Sequence, residues 1–94
     1  MQNIASFLNC TFLGLPFNSP LVLLSGCVGF GEEYTRVAGF SNRAAGAICL
    51  KGTTLKPRLG NTPHRVYETA AGMLNAIGLQ NPGTAYVIHE ILPK

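Results

Sequence analysis

Two short apolar runs, Leu21-Val22-Leu23-Leu24 and Ala47-Ile48-Cys49-Leu50, contain no polar position at all. A run that short without a polar face reads as a strand covered on both sides, the pattern of parallel sheets. Parallel neighbours need a crossover of a dozen or more residues, and the segment between the runs is long enough to supply one. Gly26, Gly29 and Gly31 make a loose loop after the first run. Glu32 and Glu33 then predict the start of a helix through Val37, because acids in a first turn suit the helix dipole. Gly39 to Arg43 reads as its exit. Strand, helix, strand with doubly buried strands points to an α/β protein.

The flanking segments predict two hairpins and a last helix. Thr11 to Phe17 alternates loosely and runs into Asn18-Ser19-Pro20, a turn signal. Pro57, Gly60, Asn61 and Pro63 mark a long loop. Val66–Thr69 and Met73–Ile77, separated by Ala70-Ala71-Gly72, form a second expected hairpin. Pro82-Gly83 opens the last helix, with Tyr86, Val87 and Ile91 along one side and Pro82 in the first turn, where a missing N–H costs nothing.

Composition argues that these elements belong to something larger. Within 94 residues, 47% are apolar and 12% charged, the latter about half the usual ~25% of soluble domains. So few charges cover the surface of a small free-standing module poorly. The net charge of +3 includes Lys51, Lys56, Arg58 and Arg65 in one stretch without an acid. No nucleic-acid-binding motif accompanies them, so a small anionic ligand is the better match. Cys10, Cys27 and Cys49 form no Cys-x-x-Cys pair, and their odd number suits reduced thiols in a cytosolic protein. They read as small core residues. His64 and His89 are isolated from each other and from any cysteine at ligand spacing, so no metal site is expected. Residues 1–31 carry no charge, yet Asn9, Pro16, Asn18 and Pro20 interrupt any apolar run, which excludes a signal peptide or a membrane helix.

Chemistry is expected where polar residues follow strand-like runs, since such loops form the active face of α/β barrels. Ser25-Gly26 ends the first run, Lys51-Gly52-Thr53-Thr54 ends the second, and Asn75-Ala76-Ile77-Gly78-Leu79-Gln80-Asn81 lies in the following loop region. An ammonium held beside a buried strand needs an anion, although a lysine at a strand end also snorkels to water. Asn75 and Asn81 equally suit plain turns, and Ser25 an N-cap or a strand-to-helix turn. The glycines of Gly26-Cys27-Val28-Gly29-Phe30-Gly31 are spaced differently from the dinucleotide fingerprint. No phosphate-binding Gly-Lys-Ser/Thr and no nucleophile elbow is present.

Read together, the segments resemble one family. Leu13-Gly14-Leu15 through Asn18-Ser19-Pro20, then Ser25-Gly26 and Gly29-Phe30-Gly31-Glu32-Glu33-Tyr34, are similar to the start of dihydroorotate dehydrogenases. Lys51-Gly52-Thr53-Thr54-Leu55-Lys56-Pro57-Arg58 with Gly60-Asn61 resembles the next landmark, and Asn75 to Gly83 the third. The match runs from about Leu13 to Pro93 in family order. Its spelling resembles the NAD-linked class 1B branch, whose FMN-bearing catalytic subunit works with a second subunit holding FAD and an iron–sulfur cluster.

The resemblance implies an α/β fold, the first part of a (β/α)8 TIM barrel with an N-terminal hairpin and about two βα units, so that residues 1–94 form a single incomplete domain. It implies oxidation of dihydroorotate to orotate, a step of pyrimidine (UMP) biosynthesis, in an oligomeric cytoplasmic flavoprotein. Ser25, Lys51 and Gly52 would contact FMN. Lys51 would also meet the substrate, together with Asn75, Ala76, Ile77, Gly78 and Leu79. The branch's active-site base is a cysteine on a later loop, and none of Cys10, Cys27 or Cys49 sits in that motif. The chain alone is therefore expected to be an inactive amino-terminal fragment. Two other readings compete: a dihydropyrimidine dehydrogenase, which is a related FMN barrel, and a non-catalytic module that binds an anion or a partner chain.

Overall fold

The computed structural model describes residues 7–94; the first six of the uncharged residues 1–31 lie outside them. The chain divides into two compact units, Met1–Lys51 and Gly52–Lys94.

The first unit begins with the expected hairpin. Strand β1 (Cys10–Phe12) pairs antiparallel with β2 (Leu15–Phe17), with Phe12 opposite Leu15. The two-residue connection Leu13-Gly14 has φ of 51° and 79°. Positive φ at both central positions is the arrangement whose twist matches a hairpin, and here a leucine accepts it. Phe12 and Phe17 meet with ring centroids 5.9 Å apart. Strand β3 (Val22–Leu23) then runs parallel to β4 (Ala47–Ile48), as the two apolar runs require. Gly46 permits this pairing. Its N–H donates to the Leu21 carbonyl at 2.8 Å, while a Cβ there would collide with the Ser19 carbonyl and stand 2.8 Å from the Phe17 ring.

The crossover differs from the expected helix. Glu32 to Val37 lies in a succession of turns, each closed by a single bond to the third residue back, such as Thr35 N to Glu32 O at 3.3 Å and Val37 N to Tyr34 O at 3.0 Å. Gly29 and Gly31 hold left-handed φ of 56° and 92° just before it. The Glu33 carboxylate reaches back to accept from Phe30 N at 3.4 Å, so it closes a turn instead of facing a helix terminus. A 3-10 turn at Asn42–Ala44, capped by Ser41, ends the crossover, and Asn42 Nδ2 donates to the Gly31 carbonyl. Burial also departs from expectation. Leu21, Val22 and Leu24 are 62%, 43% and 63% exposed, because β3 and β4 have only each other as sheet neighbours among the described residues. Cys10, Cys27 and Cys49 are likewise exposed thiols, not core residues. Val28 is the buried apolar anchor of this unit.

The second unit contains the second hairpin, β5 (Val66–Thr69) against β6 (Gly72–Asn75), in the register Val66 opposite Asn75 and Tyr67 opposite Leu74. Gly72 joins the strand, and the strand stops at Asn75, two residues before the expected end. A three-residue helix α1 (Thr84–Tyr86) continues into a π-helical turn, Val87–Ile91. It begins after Gly83, so Pro82 precedes the cap and does not sit in the first turn. Val87 and Ile91 are buried as expected, whereas Tyr86 is 51% exposed. Among the described residues no helix is long and apolar enough to cross a membrane.

Candidate functional site

Because β3 and β4 are parallel, their carboxyl ends lie on the same edge, and the residues that follow them are brought together there. Ser25 and Gly26 leave β3, and Lys51 leaves β4 after Cys49 N has bonded Leu23 O at 2.8 Å. Lys51 is then fixed by its own main chain, which donates to the carbonyl of Gly29 at 2.8 Å. The lysine is half-buried and Ser25 is exposed. Gly26 has φ of 92°, and a Cβ built on it would meet nothing within 4 Å. The first unit therefore presents a serine, an open glycine turn and a half-buried ammonium-bearing residue at one sheet edge, a place where α/β folds gather ligands.

In the second unit the geometry concerns Gly52 and the run Asn75 to Leu79. A Cβ on Gly52 would stand 3.5 Å from Leu79 Cδ2, so these two candidate residues are neighbours. Asn75, the last residue of β6, is exposed and shares a shallow depression of ≈ 270 Å³ with His64, Arg65, Val66, Tyr67, Leu74 and Ala76. One further ladder bond, Ala76 N to Arg65 O at 2.8 Å, carries the hairpin past Asn75.

Beyond that bond the carbonyls are claimed one after another by groups of the chain itself. Ala76 O accepts from Asn61 Nδ2 at 2.8 Å, and Ile77 O from Asn61 N at 2.8 Å. Gly78 O accepts from Arg58 Nε at 2.7 Å, and Leu79 O from Asn81 Nδ2 at 2.7 Å. The N–H groups of Ile77, Gly78 and Leu79 make no such bond among the described residues. Gly78 and Leu79 have φ of 79° and 58°, a left-handed pair in which the leucine is strained, and such outliers cluster where a ligand is held. With every acceptor engaged by Asn61, Arg58 and Asn81, the N–H groups of the same planar peptides point away from those side chains.

The residues that build this segment have other readings in the sequence. Arg58 and Arg65 read there as part of a basic, anion-friendly stretch. In the structure both guanidiniums bond the chain: Arg65 donates from Nη1 to Leu59 O and Asn61 O at 3.0 Å each, and from Nη2 to Gln80 Oε1 at 2.7 Å. Asn81 is 6% exposed. Its Oδ1 accepts from Thr54 N at 3.1 Å and Gly83 N at 2.9 Å, and its Nδ2 donates to Thr54 Oγ1 at 2.9 Å. The signal available was the loop itself. Two long irregular segments must satisfy their main-chain groups somehow, and Arg and Asn between Gly and Pro are the side chains able to do so.

The family profile described as dihydroorotate dehydrogenase matches residues 7–94. A Streptococcus pneumoniae protein named dihydroorotate dehydrogenase B (NAD(+)), catalytic subunit, is 52% identical over 80 residues, covering 85% of this chain and 25% of the relative. Proteins of the same name from Bacillus pumilus and Geobacillus kaustophilus are 50% identical over 86 residues and 54% over 80, covering 92% and 85% of the chain. The chain spans 27% and 25% of those two relatives, about a quarter of their length.

Proposed function

Since the chain belongs to the dihydroorotate dehydrogenase family, we propose that the protein carrying it oxidises dihydroorotate to orotate in de novo pyrimidine biosynthesis, with FMN bound in a (β/α)8 barrel and NAD as final acceptor. Residues 1–94 are one part of that barrel domain. The partner is an electron-transfer subunit with FAD and an iron–sulfur cluster, in an oligomeric cytoplasmic assembly. The curated relatives carry the dihydroorotate name, which favours this substrate over dihydropyrimidines.

The observation that carries the reading is the donor-out segment Ile77 to Leu79. Its free N–H groups suit the carboxylate of a pyrimidine acid, and the Asn75 side chain offers both a donor and an acceptor to the ring's polar edge. Ser25, Lys51 and Gly52 are assigned to FMN. The open backbone at Gly26 and the half-buried setting of Lys51 support that assignment. Bound FMN supplies the hydride acceptor. Lys51 would bring a positive charge to it, one that suits both the substrate carboxylate and an electron-accepting ring. None of Cys10, Cys27 and Cys49 is assigned the role of base, since none lies in the family's base motif. General base catalysis needs a positioned acceptor, so the 94-residue chain alone is read as inactive.

Orotate titrated into the flavin-loaded intact gene product, followed by the flavin absorbance, tests the reading. Saturable perturbation is expected. A flat titration, or a flavin reduced by dihydrouracil and not by dihydroorotate, would overturn it.

A further inference from the structure

The substrate segment is shaped by a residue outside it. We propose that Asn61 is the positioning residue of the pyrimidine-acid site: it acts through the backbone of Ala76 to Leu79 and touches no ligand itself. This rests on the reading of that segment as the substrate loop.

Asn61 holds two successive carbonyls at once. Its main-chain N–H donates to Ile77 O at 2.8 Å, and its side-chain Nδ2 donates to Ala76 O at 2.8 Å. The same residue also fills the space beside Gly78. A Cβ on Gly78 would stand 2.8 Å from Asn61 Cγ, 2.8 Å from Oδ1 and 2.9 Å from its N. One asparagine thus turns two acceptors to one side and leaves room only for glycine at the next position, where φ is 79°. Peptide groups are planar, so drawing the carbonyls of Ala76 and Ile77 toward Asn61 directs the N–H groups of Ile77 and Gly78 the opposite way. The directions of the Ile77 and Gly78 N–H groups therefore follow from Asn61, while that of Leu79 follows from Arg58, whose Nε holds the Gly78 carbonyl at 2.7 Å. Asn61 is itself held, since Arg65 Nη1 donates to its carbonyl at 3.0 Å. A side chain with an acceptor only cannot replace it, because Ala76 O needs a donor.

The test uses the flavin-loaded intact gene product. Wild type, Asn61→Ala, Asn61→Asp, Gly78→Ala and the Asn61→Ala/Gly78→Ala double variant are compared by orotate titration, with flavin content measured alongside. Asn61→Ala is expected to weaken orotate binding by about tenfold, the scale of one lost hydrogen bond with its pre-organisation. Asn61→Asp should weaken it further, with flavin content unchanged in both. Gly78→Ala should cost less in the Asn61→Ala background than in wild type, because truncation removes the Cγ and Oδ1 contacts at 2.8 Å and leaves only the main-chain N at 2.9 Å and the left-handed φ against the new methyl. Unchanged orotate affinity in both Asn61 variants, or strict additivity with Gly78→Ala, would overturn the proposal while leaving the substrate reading intact. Parallel loss of flavin would overturn it also, in favour of a general structural role. If wild type itself does not bind orotate, both fall together.

Discussion

Leu79 lies against Gly52: a methyl group on Gly52 would stand 3.5 Å from Leu79 Cδ2, an ordinary van der Waals distance. The protein itself therefore does not demand glycine at position 52, whose φ is not left-handed. If a flavin packs there, the ligand makes the demand. Gly52→Ala is expected to leave stability within about 0.5 kcal/mol of wild type while lowering flavin retention several-fold. Denaturant midpoints and flavin content after gel filtration check the two halves separately.

Lys51 is tied by its main chain to Gly29 at 2.8 Å, so its substitution should leave the backbone path in place. Lys51→Met keeps the stem and removes the charge. It is expected to raise the orotate Kd by about ten- to a hundredfold, the range for losing a hydrogen bond to a charged group. Lys51→Arg should restore little, because a planar fork does not replace a compact ammonium. Orotate titrations of the two variants measure this.

Asn81 is buried and bonded on both sides of its amide, to Thr54, Leu79 and Gly83. Asn81→Ala strands the Gly83 N–H, the Thr54 N–H and the Leu79 carbonyl, at a cost of roughly 2–4 kcal/mol when each lost bond and the buried unpaired groups are considered together. Asn81→Asp keeps the acceptor for Thr54 and Gly83 but sets a carboxylate against the Leu79 carbonyl, so it should not rescue. Chemical denaturation of the variants is the measurement.

Large apolar side chains stand open throughout, including Phe7 at 86%, Leu13 at 86%, Leu55 at 83% and Leu59 at 88% exposure. Exposed apolar surface on this scale marks an interaction face or an aggregation hazard. The 94-residue chain produced alone is expected to self-associate on gel filtration and to form no orotate from dihydroorotate with FMN supplied. A well-behaved monomer with turnover would refute this expectation.

Both hairpins and the parallel strand pair were legible because alternation, turn residues and apolar runs are local signals. Glu32 to Val37 was misread because two acids imitate a helix start, whereas the glycines before them commit the backbone to turns and Glu33 bonds Phe30. The exposure of the apolar strands and of the three cysteines could not be read locally, since burial depends on what covers a strand and not on its own residues. For the candidate site, the family resemblance names Ser25, Lys51, Gly52 and the Asn75–Leu79 run. It did not reveal the clamps Arg58, Asn61 and Asn81, whose roles arise from contacts between segments far apart in the chain.

Mixing the purified, flavin-loaded intact gene product with dihydroorotate under anaerobic conditions, and watching the yellow flavin band, tests most directly whether this is a dihydroorotate oxidation site. Bleaching by dihydroorotate in wild type, slowed or weakened in Lys51→Met, is the result the assignment requires. A flavin that stays oxidised in wild type, or that bleaches equally well in both proteins, would contradict it.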